Sequence, residues 1–365
     1  ARTDDARLVL RVLREAQAHG ARLRNHCRAT GLLRDAGGRV CGATLLDERG
    51  STRHTVRARC VVNATGAWAD ALRGEVGASA KLRPLRGSHL MLPLWRLPVA
   101  HAVALMHPDD GRPVFAYPWE GAALVGTTDL DHGDMSRAPV ITPAEVDYLL
   151  RAVQMQCPTL ALTRADIVST WAGVRPVVAG GRADPSKEAR DMLLLEESGL
   201  LTVSGGKLTT FRPMAVEALR LAARHVSSLA VTPEPAVFAP VTPPAGLRRL
   251  GASAARRLLG RYGRDTEALL ACARPGELEA VPGTFTLWAE LRWAARAEAV
   301  CHLDDLLLRR VRLGLTQPAG AAALLPAVRA VVQGELGWDD SAWQAQEARY
   351  HALIARCHSV PGPAA

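Results

Sequence analysis

In the opening segment DDARLVLRVLREAQAHG, apolar residues at positions 8, 9, 12, 13 and 16 recur at the spacing of one helix face. The Asp4–Asp5 pair in front can cap that helix and Gly20 behind can end it. Three alternating segments follow, ARLRNHCRATGLLRD, RVCGATLLDERG and STRHTVRARCVVNATG, divided by Gly37-Gly38 and by Glu48-Arg49-Gly50. They predict strands in a meander. The run Cys60–Ala64 ends in Thr65-Gly66 and turns helical at Trp68–Leu72, so a strand, a tight glycine turn and a helix succeed one another. From about 80 to 140 the pattern is again that of strands (SHLMLPL, AVALMHP, RPVFAYPW, AALVGTTDLD), and Pro143 to about 156 returns to helix. A strand over 166–170 leads into the turn WAGVRP. Leu193–Glu196 and Leu200–Val203 flank another turn, and SGGKLTTFRPMAVEAL predicts a glycine loop with a helix from about Thr209. Five prolines within 226–246 predict an extended linker. Helices are predicted beyond it over 247–260, 264–273, 286–313, 319–334 and 340–357. Glu298–His302 and Asp305–Arg309 are i,i+4 pairs on the third, and Asp339 or Asp340 is placed to cap the last.

A chain of 365 residues has room for roughly two domains of ~150 residues each. With 48% hydrophobic and 22% charged residues it is neither disordered nor fibrous. The apolar stretch from Ala319 is cut by Pro326 and Arg329, so no membrane span is predicted, and no leader opens the chain. Residue 1 is alanine, so the chain is expected to start partway through a longer reading frame or after processing. The net charge of +9 is spread evenly, without a basic block, and only three of the 45 basic residues are lysine: Lys81, Lys187 and Lys207. That distribution argues against nucleic acid and leaves a mild attraction to anionic membrane surfaces. Seven scattered cysteines, with no spacing suited to zinc and no disulfide framework, point to a reducing compartment without a metal; Cys60 reads as a buried small hydrophobe.

Two glycine loops opening helices can present backbone N–H groups to an anion: Asn63–Trp68 and Ser204–Thr210. Each is equally compatible with a plain turn, and the second lacks the spacing of a P-loop. Lys207 stands out in a chain that avoids lysine, since a compact ammonium is not replaced by a planar guanidinium. Arg175 sits between Gly173 and Pro176, as a surface-turn cation or an anion ligand. His89 in GSH and Asp129 in GTTD are structural residues or members of a site.

Taken in order, DDARL, VVNATGAWAD, RGSHLMLP, LVGTTDLD, TWAGVRPV and SGGKLTTFRPMAVEAL closely resemble the FAD-dependent glycerol-3-phosphate dehydrogenases. ELRWAARAEAVCHLDDLLLRRVRLGL and ELGWDD are similar to that family's helical domain, and the resemblance covers essentially the whole chain. It implies a mixed α/β (α+β) architecture: the glutathione-reductase-like FAD/NAD(P)-binding fold of the amine- and hydroxyl-oxidising flavoproteins over 1–225, a linker at 226–246, and a C-terminal all-α domain over 247–360. Two departures qualify it. The family's first βαβ unit, with its GxGxxG loop, is missing, so the chain is expected to be N-terminally truncated, to hold FAD poorly by itself and to leave apolar surface such as helix 4–20 bare. The family's His-Glu pair appears as Ala297-Glu298, with a structural consequence only.

The resemblance further implies oxidation of sn-glycerol 3-phosphate to dihydroxyacetone phosphate, with His89, Arg175 and Lys207 as catalytic residues. Those three and Thr209 would contact substrate. Ala29, Ala64, Thr65, Gly66, Trp68, Gly173, Gly206, Lys207, Leu208 and Thr209 would contact FAD. Electrons would pass to a quinone, since the family's oxidases carry a mid-chain segment that this sequence lacks. The implied place is the inner face of the cytoplasmic membrane, held peripherally, and a homodimer is compatible with it. A related amine or amino-acid oxidase and a non-catalytic fragment unable to hold FAD are the competing readings.

Overall fold

The computed structural model describes residues 3–181, 191–231 and 236–362; Lys187 and part of the predicted linker lie outside them. The helix α1 (Asp5–Ala18) opens the described chain, capped by Asp4, whose side chain accepts from the Arg7 N–H. Strands β1 (Cys27–Arg34), β2 (Val40–Asp47) and β3 (Thr52–Arg57) form the predicted antiparallel meander. The strand β4 (Val61–Asn63) passes through a 3-10 turn at Gly66–Trp68 into α2 (Ala69–Glu75). A larger sheet follows, from β5 (Leu82–Pro93), β6 (Val103–Met106), β7 (Pro113–Trp119), β8 (Ala122–Gly126), β9 (Leu130–Asp131) and, after α3 (Pro143–Gln156), β10 (Ser169–Val178). Its order is β10-β5-β8-β7-β6, with β9 also on β5. Strands β11 (Met192–Glu197) and β12 (Leu200–Gly205) complete a third sheet, in which β12 runs parallel to β4; α4 (Phe211–Ala222) then follows the glycine loop.

The helical region contains α5 (Ala252–Tyr262), α6 (Thr266–Cys272), α7 (Trp288–Ala297), the short turns α8 (Leu313–Thr316) and α9 (Pro318–Ala321), α10 (Leu325–Leu336) and α11 (Asp340–Cys357). Asp339 caps α11 through the Ala342 N–H at 2.7 Å. The continuous helix predicted over 286–313 is broken. The helix α7 ends at Ala297, Ala299 adopts a left-handed φ of 51°, and a π-helical turn occupies Asp305–Arg310. Its predicted Glu298–His302 pair is absent because Glu298 turns to Arg7 and His302 bonds Gln346. The predicted Asp305–Arg309 pair forms at 3.4 Å. WAGVRP is not a turn: it lies inside β10, which starts at Ser169 rather than 166.

Alternation along β5 sends Leu90 and Leu92 to a core with Val146, Leu149 and Val153 of α3, and Met91 to a core with Leu291, Leu306, Val328 and Trp343 of the helical region. The larger sheet is thus covered on both faces. The predicted linker is not bare either: Phe238 lies under the Arg11 guanidinium at 4.2 Å. All seven cysteines are free, and Cys60 is half-buried, with burial pushing its thiol up. Among the described residues no helix is long and apolar enough to cross a membrane.

The face of α1 that packs inward is charged, while Val9 and Leu13 are exposed. Arg7 forms a two-pronged pair with Glu298, at 2.5 and 2.9 Å, and lies 4.4 Å over the Tyr262 ring. Asp4 meets Arg312 at 2.8 Å and Arg261 at 2.9 Å; burial opposes its ionisation, but these cations hold its carboxyl down at about 2. Removing one partner of a buried pair strands the other charge in a poorly solvating medium, at about 3–5 kcal/mol, whereas an exposed pair contributes ~0–1 kcal/mol. Glu298→Ala is therefore expected to lower unfolding free energy by about 3–5 kcal/mol in urea titrations. Glu48→Ala, which breaks the exposed Arg28–Glu48 pair, should cost below ~1 kcal/mol. Equal losses in the two variants would refute the seam's importance.

Candidate active site

Antiparallel register aligns Trp171 with His89, Gly173 with Gly87 and Arg175 with Leu85 across β10 and β5, all on one face of the sheet. His89 stacks on Trp171 with ring centroids 3.9 Å apart and planes 7° from parallel. On its other side the imidazole covers Gly126 of β8, where a β-carbon would collide with the ring, lying 2.9 Å from Cγ. The Arg175 guanidinium folds back over Gly87, where a β-carbon would lie 2.7 Å from its Cζ. Nothing stands within 4 Å of a β-carbon built on Gly173. The register of two glycines thus leaves open space at Gly173, between an imidazole and a guanidinium.

Arg175 donates to Asp129 at 2.9 Å, to the Thr128 carbonyl at 3.3 Å and to the Thr127 hydroxyl at 3.0 Å. GTTD is therefore the bracket that aims Arg175. Beneath it, buried Glu145 accepts from Ser88 at 2.8 Å, Thr128 at 2.7 Å and Thr142, and pairs with Arg86 at 2.9 Å. Burial favours the protonated Glu145, but the donors, led by Thr128, outweigh it and hold the carboxyl below its usual range. Sequence reasoning missed Glu145 and Trp171. The first sits in an unremarked capping box at Thr142–Glu145, and the second in a segment read as a turn.

The His89 imidazole is half-buried, its Nδ1 is buried without a partner, and Trp171 Nε1 is likewise unpartnered. Burial, and then the nearby charge of Arg175, push its pKa down to about 3.

The second cluster lies against Val178 at the end of β10. Gly205 and Gly206 both have φ of 69°, and side chains there would strike the Asp191 carbonyl and Met214 respectively. They bring the loop to Lys207, whose side chain is exposed and forms no ion pair among the described residues. Ala64, Gly205, Gly206, Lys207 and Leu208 line one side of a groove of about 540 Å³, and the apolar face of α4 from Phe211 to Ala222 lines the other. The Gly66 turn (φ 61°) adjoins the loop, since Ser204 donates to the Gly66 carbonyl at 3.3 Å. Thr65 is fastened to Asn63 through its hydroxyl at 2.7 Å, and Trp68 is exposed, donating to the Met135 carbonyl at 3.2 Å. Thr209 is exposed in the 3-10 turn at Leu208–Thr210. Ala29 stands apart, on the meander strand β1. Arg175, expected on a loop, arrives on a strand, because its glycine and proline neighbours are accommodated by pairing with β5. The left-handed glycines, the exposed loop and the apolar groove suit an extended nucleotide cofactor such as FAD.

A family model for FAD-dependent oxidoreductases matches residues 1–212, and one for the C-terminal domain of alpha-glycerophosphate oxidase matches 204–342. An aerobic glycerol-3-phosphate dehydrogenase of Staphylococcus aureus (strain MRSA252) is 32% identical over 334 residues, and one from Staphylococcus haemolyticus is 32% identical over 333. Each alignment covers 85% of this chain, which spans 60% of the relative's length. The solved glycerol-3-phosphate dehydrogenase of Bacillus halodurans, complexed with FAD, superposes with a TM-score of 0.80 at 27% identity, covering 97% of this chain and 73% of that one.

A folded pKa of about 3 against an unfolded ~6.5 means that the unfolded chain binds a proton that the folded chain refuses between those values. Stability contributed by His89 is complete above ~pH 6.5 and is lost as pH falls toward 3. In an NMR titration of the folded protein, the His89 ring is expected to show no protonation from pH 8 down to about 4. A midpoint near 6.5 would contradict this environment.

Proposed function

The chain belongs to the FAD-dependent oxidoreductase family, with that family's fold and a C-terminal helical region, and on this premise we propose that it oxidises sn-glycerol 3-phosphate to dihydroxyacetone phosphate. The observation carrying the reading is the open space at Gly173 between the His89 imidazole, which burial keeps neutral, and a braced guanidinium. A secondary alcohol carrying a phosphate dianion needs those two groups: one to take the hydroxyl proton, one to hold the charge. The names of the relatives support the same substrate.

FAD would lie along Gly66 with Ala64, Thr65 and Trp68, and along Gly206–Thr209, with Ala29 and Gly173 as further contacts; when bound it supplies the hydride acceptor. Arg175, with Lys207 and Thr209, binds the phosphate. His89 takes the C2 hydroxyl proton on its imidazole, and Trp171 holds the ring flat and excludes water from one face. The backbone N–H groups of Gly206–Thr209 stabilise negative charge accumulating beside them. A base held near 3 is weak, yet one of the two causes is the Arg175 charge. Phosphate bound to Arg175 cancels that field, so substrate binding itself strengthens the base. Electrons leave to a membrane quinone, and the net charge of +9 favours peripheral attachment to an anionic inner leaflet. The C-terminal-domain match over 204–342 favours this reading over an amino-acid oxidase.

Steady-state oxidation of glycerol 3-phosphate with a quinone acceptor, in the FAD-loaded protein, tests the proposal. A lost charge-assisted contact to phosphate is worth ~1.5–3 kcal/mol, so Arg175→Ala is expected to raise the Michaelis constant roughly 10- to 150-fold with flavin content unchanged. A change under about twofold would assign Arg175 a structural role only. Lys207→Arg keeps the charge but widens it, and should cut turnover at least ~10-fold in a protein with an unchanged melting curve. Wild-type turnover would remove Lys207 from the machinery.

A further inference from the structure

Among the described residues one group of three metal-ligating side chains converges, away from the groove and the His89–Arg175 face: His26, Cys301 and Asp305, with ligating atoms all within 4.8 Å of one another. We propose that these three bind a divalent transition-metal ion, zinc by preference, clipping the meander sheet to the helical region. No Cys–His spacing in the sequence announces such a site, because its ligands come from segments that only the fold brings together.

The donor set decides the class of ion. Magnesium and calcium select oxygen ligands, whereas a thiolate, an imidazole and a carboxylate together suit zinc. Three protein ligands leave a fourth tetrahedral position for water. Bonds of ~2.0–2.3 Å at tetrahedral angles place ligand atoms roughly 3.3–3.8 Å apart, so the His26–Asp305 contact opens slightly and any wider separation closes. His26 Nε2 and Asp305 Oδ2 lie 2.8 Å apart, sharing a proton. A cation entering between them takes Nε2 and Oδ2 as ligands while the neutral imidazole carries its proton on Nδ1, and it displaces the proton of the Cys301 thiol, so loading releases that one proton to solvent.

The frame is already assembled. Asp305 Oδ2 accepts from the backbone N–H groups of Cys301 and His302, both at 3.0 Å, which fixes the thiol-bearing loop to the carboxylate. Asn25 donates to the Ala299 carbonyl at 2.7 Å, tying the two ligand-bearing segments together. His302 meets the His26 ring edge-on at 4.9 Å and is held by Gln346 of α11. Two cations also face the cluster. Arg309 lies 3.4 Å from Asp305 Oδ1 and is paired with Asp304 at 2.6 Å. Arg49 reaches the Cys301 sulfur and is paired with Asp47 at 2.7 Å. With their carboxylates present, neither brings an uncompensated charge to the site.

The test is titration of the chelator-treated, reduced chain with cobalt(II). The expected result is one cobalt per chain, with intense d–d bands of a tetrahedral centre and a thiolate-to-cobalt charge-transfer band that zinc abolishes. Cys301→Ser should lose the charge-transfer band, and His26→Ala should weaken binding at least ~10-fold. Should either variant fold poorly, the unaltered chain still decides: zinc is expected to slow alkylation of Cys301 at least ~10-fold while leaving Cys41 unchanged, read by peptide mass spectrometry. No charge-transfer band in the unaltered chain, the same band in a folded Cys301→Ser variant, or zinc-independent alkylation of Cys301 would each overturn the proposal.

Discussion

The site depends on β-carbons that Gly87 and Gly126 do not have. Any side chain at Gly126 would enter the space of the His89 ring, and any at Gly87 would enter that of the Arg175 guanidinium. Both are strand residues, so backbone freedom is not what selects glycine here; volume is. With the side chains gone, imidazole and guanidinium lie flat on the sheet and leave the ground beside Gly173 clear. Asp129, Thr127 and Thr128 then hold the guanidinium down, and Trp171 does the same for the imidazole. Each is a short-range contact from an adjoining strand or strand end, which is how a sheet presents a site more rigidly than a loop does.

The second constraint is the charged seam that joins α1 to the helical region. Buried arginines in the seam and the helical region behind it, Arg7, Arg261, Arg292 and Arg310 among them, would be prohibitively costly alone. Arg7 is matched to Glu298 and the Arg310 carbonyl, Arg261 to Asp4 and Glu120, Arg292 to Glu277 at 2.5 Å, and Arg310 donates to the Glu298 carbonyl at 2.9 Å. This explains why α7 stops at Ala297. Continuing the helix would carry Glu298 around the axis and away from Arg7, leaving a buried guanidinium without its carboxylate. A tertiary ion pair overrides local helix propensity there.

That override marks where the sequence was legible and where it was not. Helix α1 with its cap, the meander, the β4–Gly66–α2 passage and the cap of α11 follow from local pattern, because the residues that decide them are adjacent in sequence. Arg175 and Glu298 do not. Glycine and proline around Arg175 read as a turn until β5 is known to pair opposite with its own Gly87 and Pro84. The arginine's neighbours in space, Thr127 and Asp129, sit more than forty residues away. The apolar spacing in α1 located the helix correctly, yet the residues it buries are Arg7 and Glu15, since their partners Glu298 and Arg264 lie far down the chain. Pattern finds elements; partners decide faces.

Strand β10 connects the two halves of the site. Trp171, Gly173 and Arg175 form its pairing with β5, and three residues further along Val178 comes within 3.3 Å of a β-carbon built on Gly205. The glycine loop carrying Lys207 therefore rests on the same strand that carries the guanidinium. Along a strand each residue advances ~3.3 Å, so the offset from Arg175 to the loop contact at Val178 is about 10 Å of stiff, hydrogen-bonded backbone. A loop pressed against such a ruler cannot drift from Arg175 without breaking the ladder between β10 and β5 or opening the contact at Gly205. The left-handed φ at Gly205 and Gly206 is what turns the chain sharply enough to stay against it. Separation of the Gly205–Leu208 groove and the Arg175 guanidinium is thereby set by covalent geometry and strand pairing, and precision at the candidate site follows from the sheet rather than from the loops that end it.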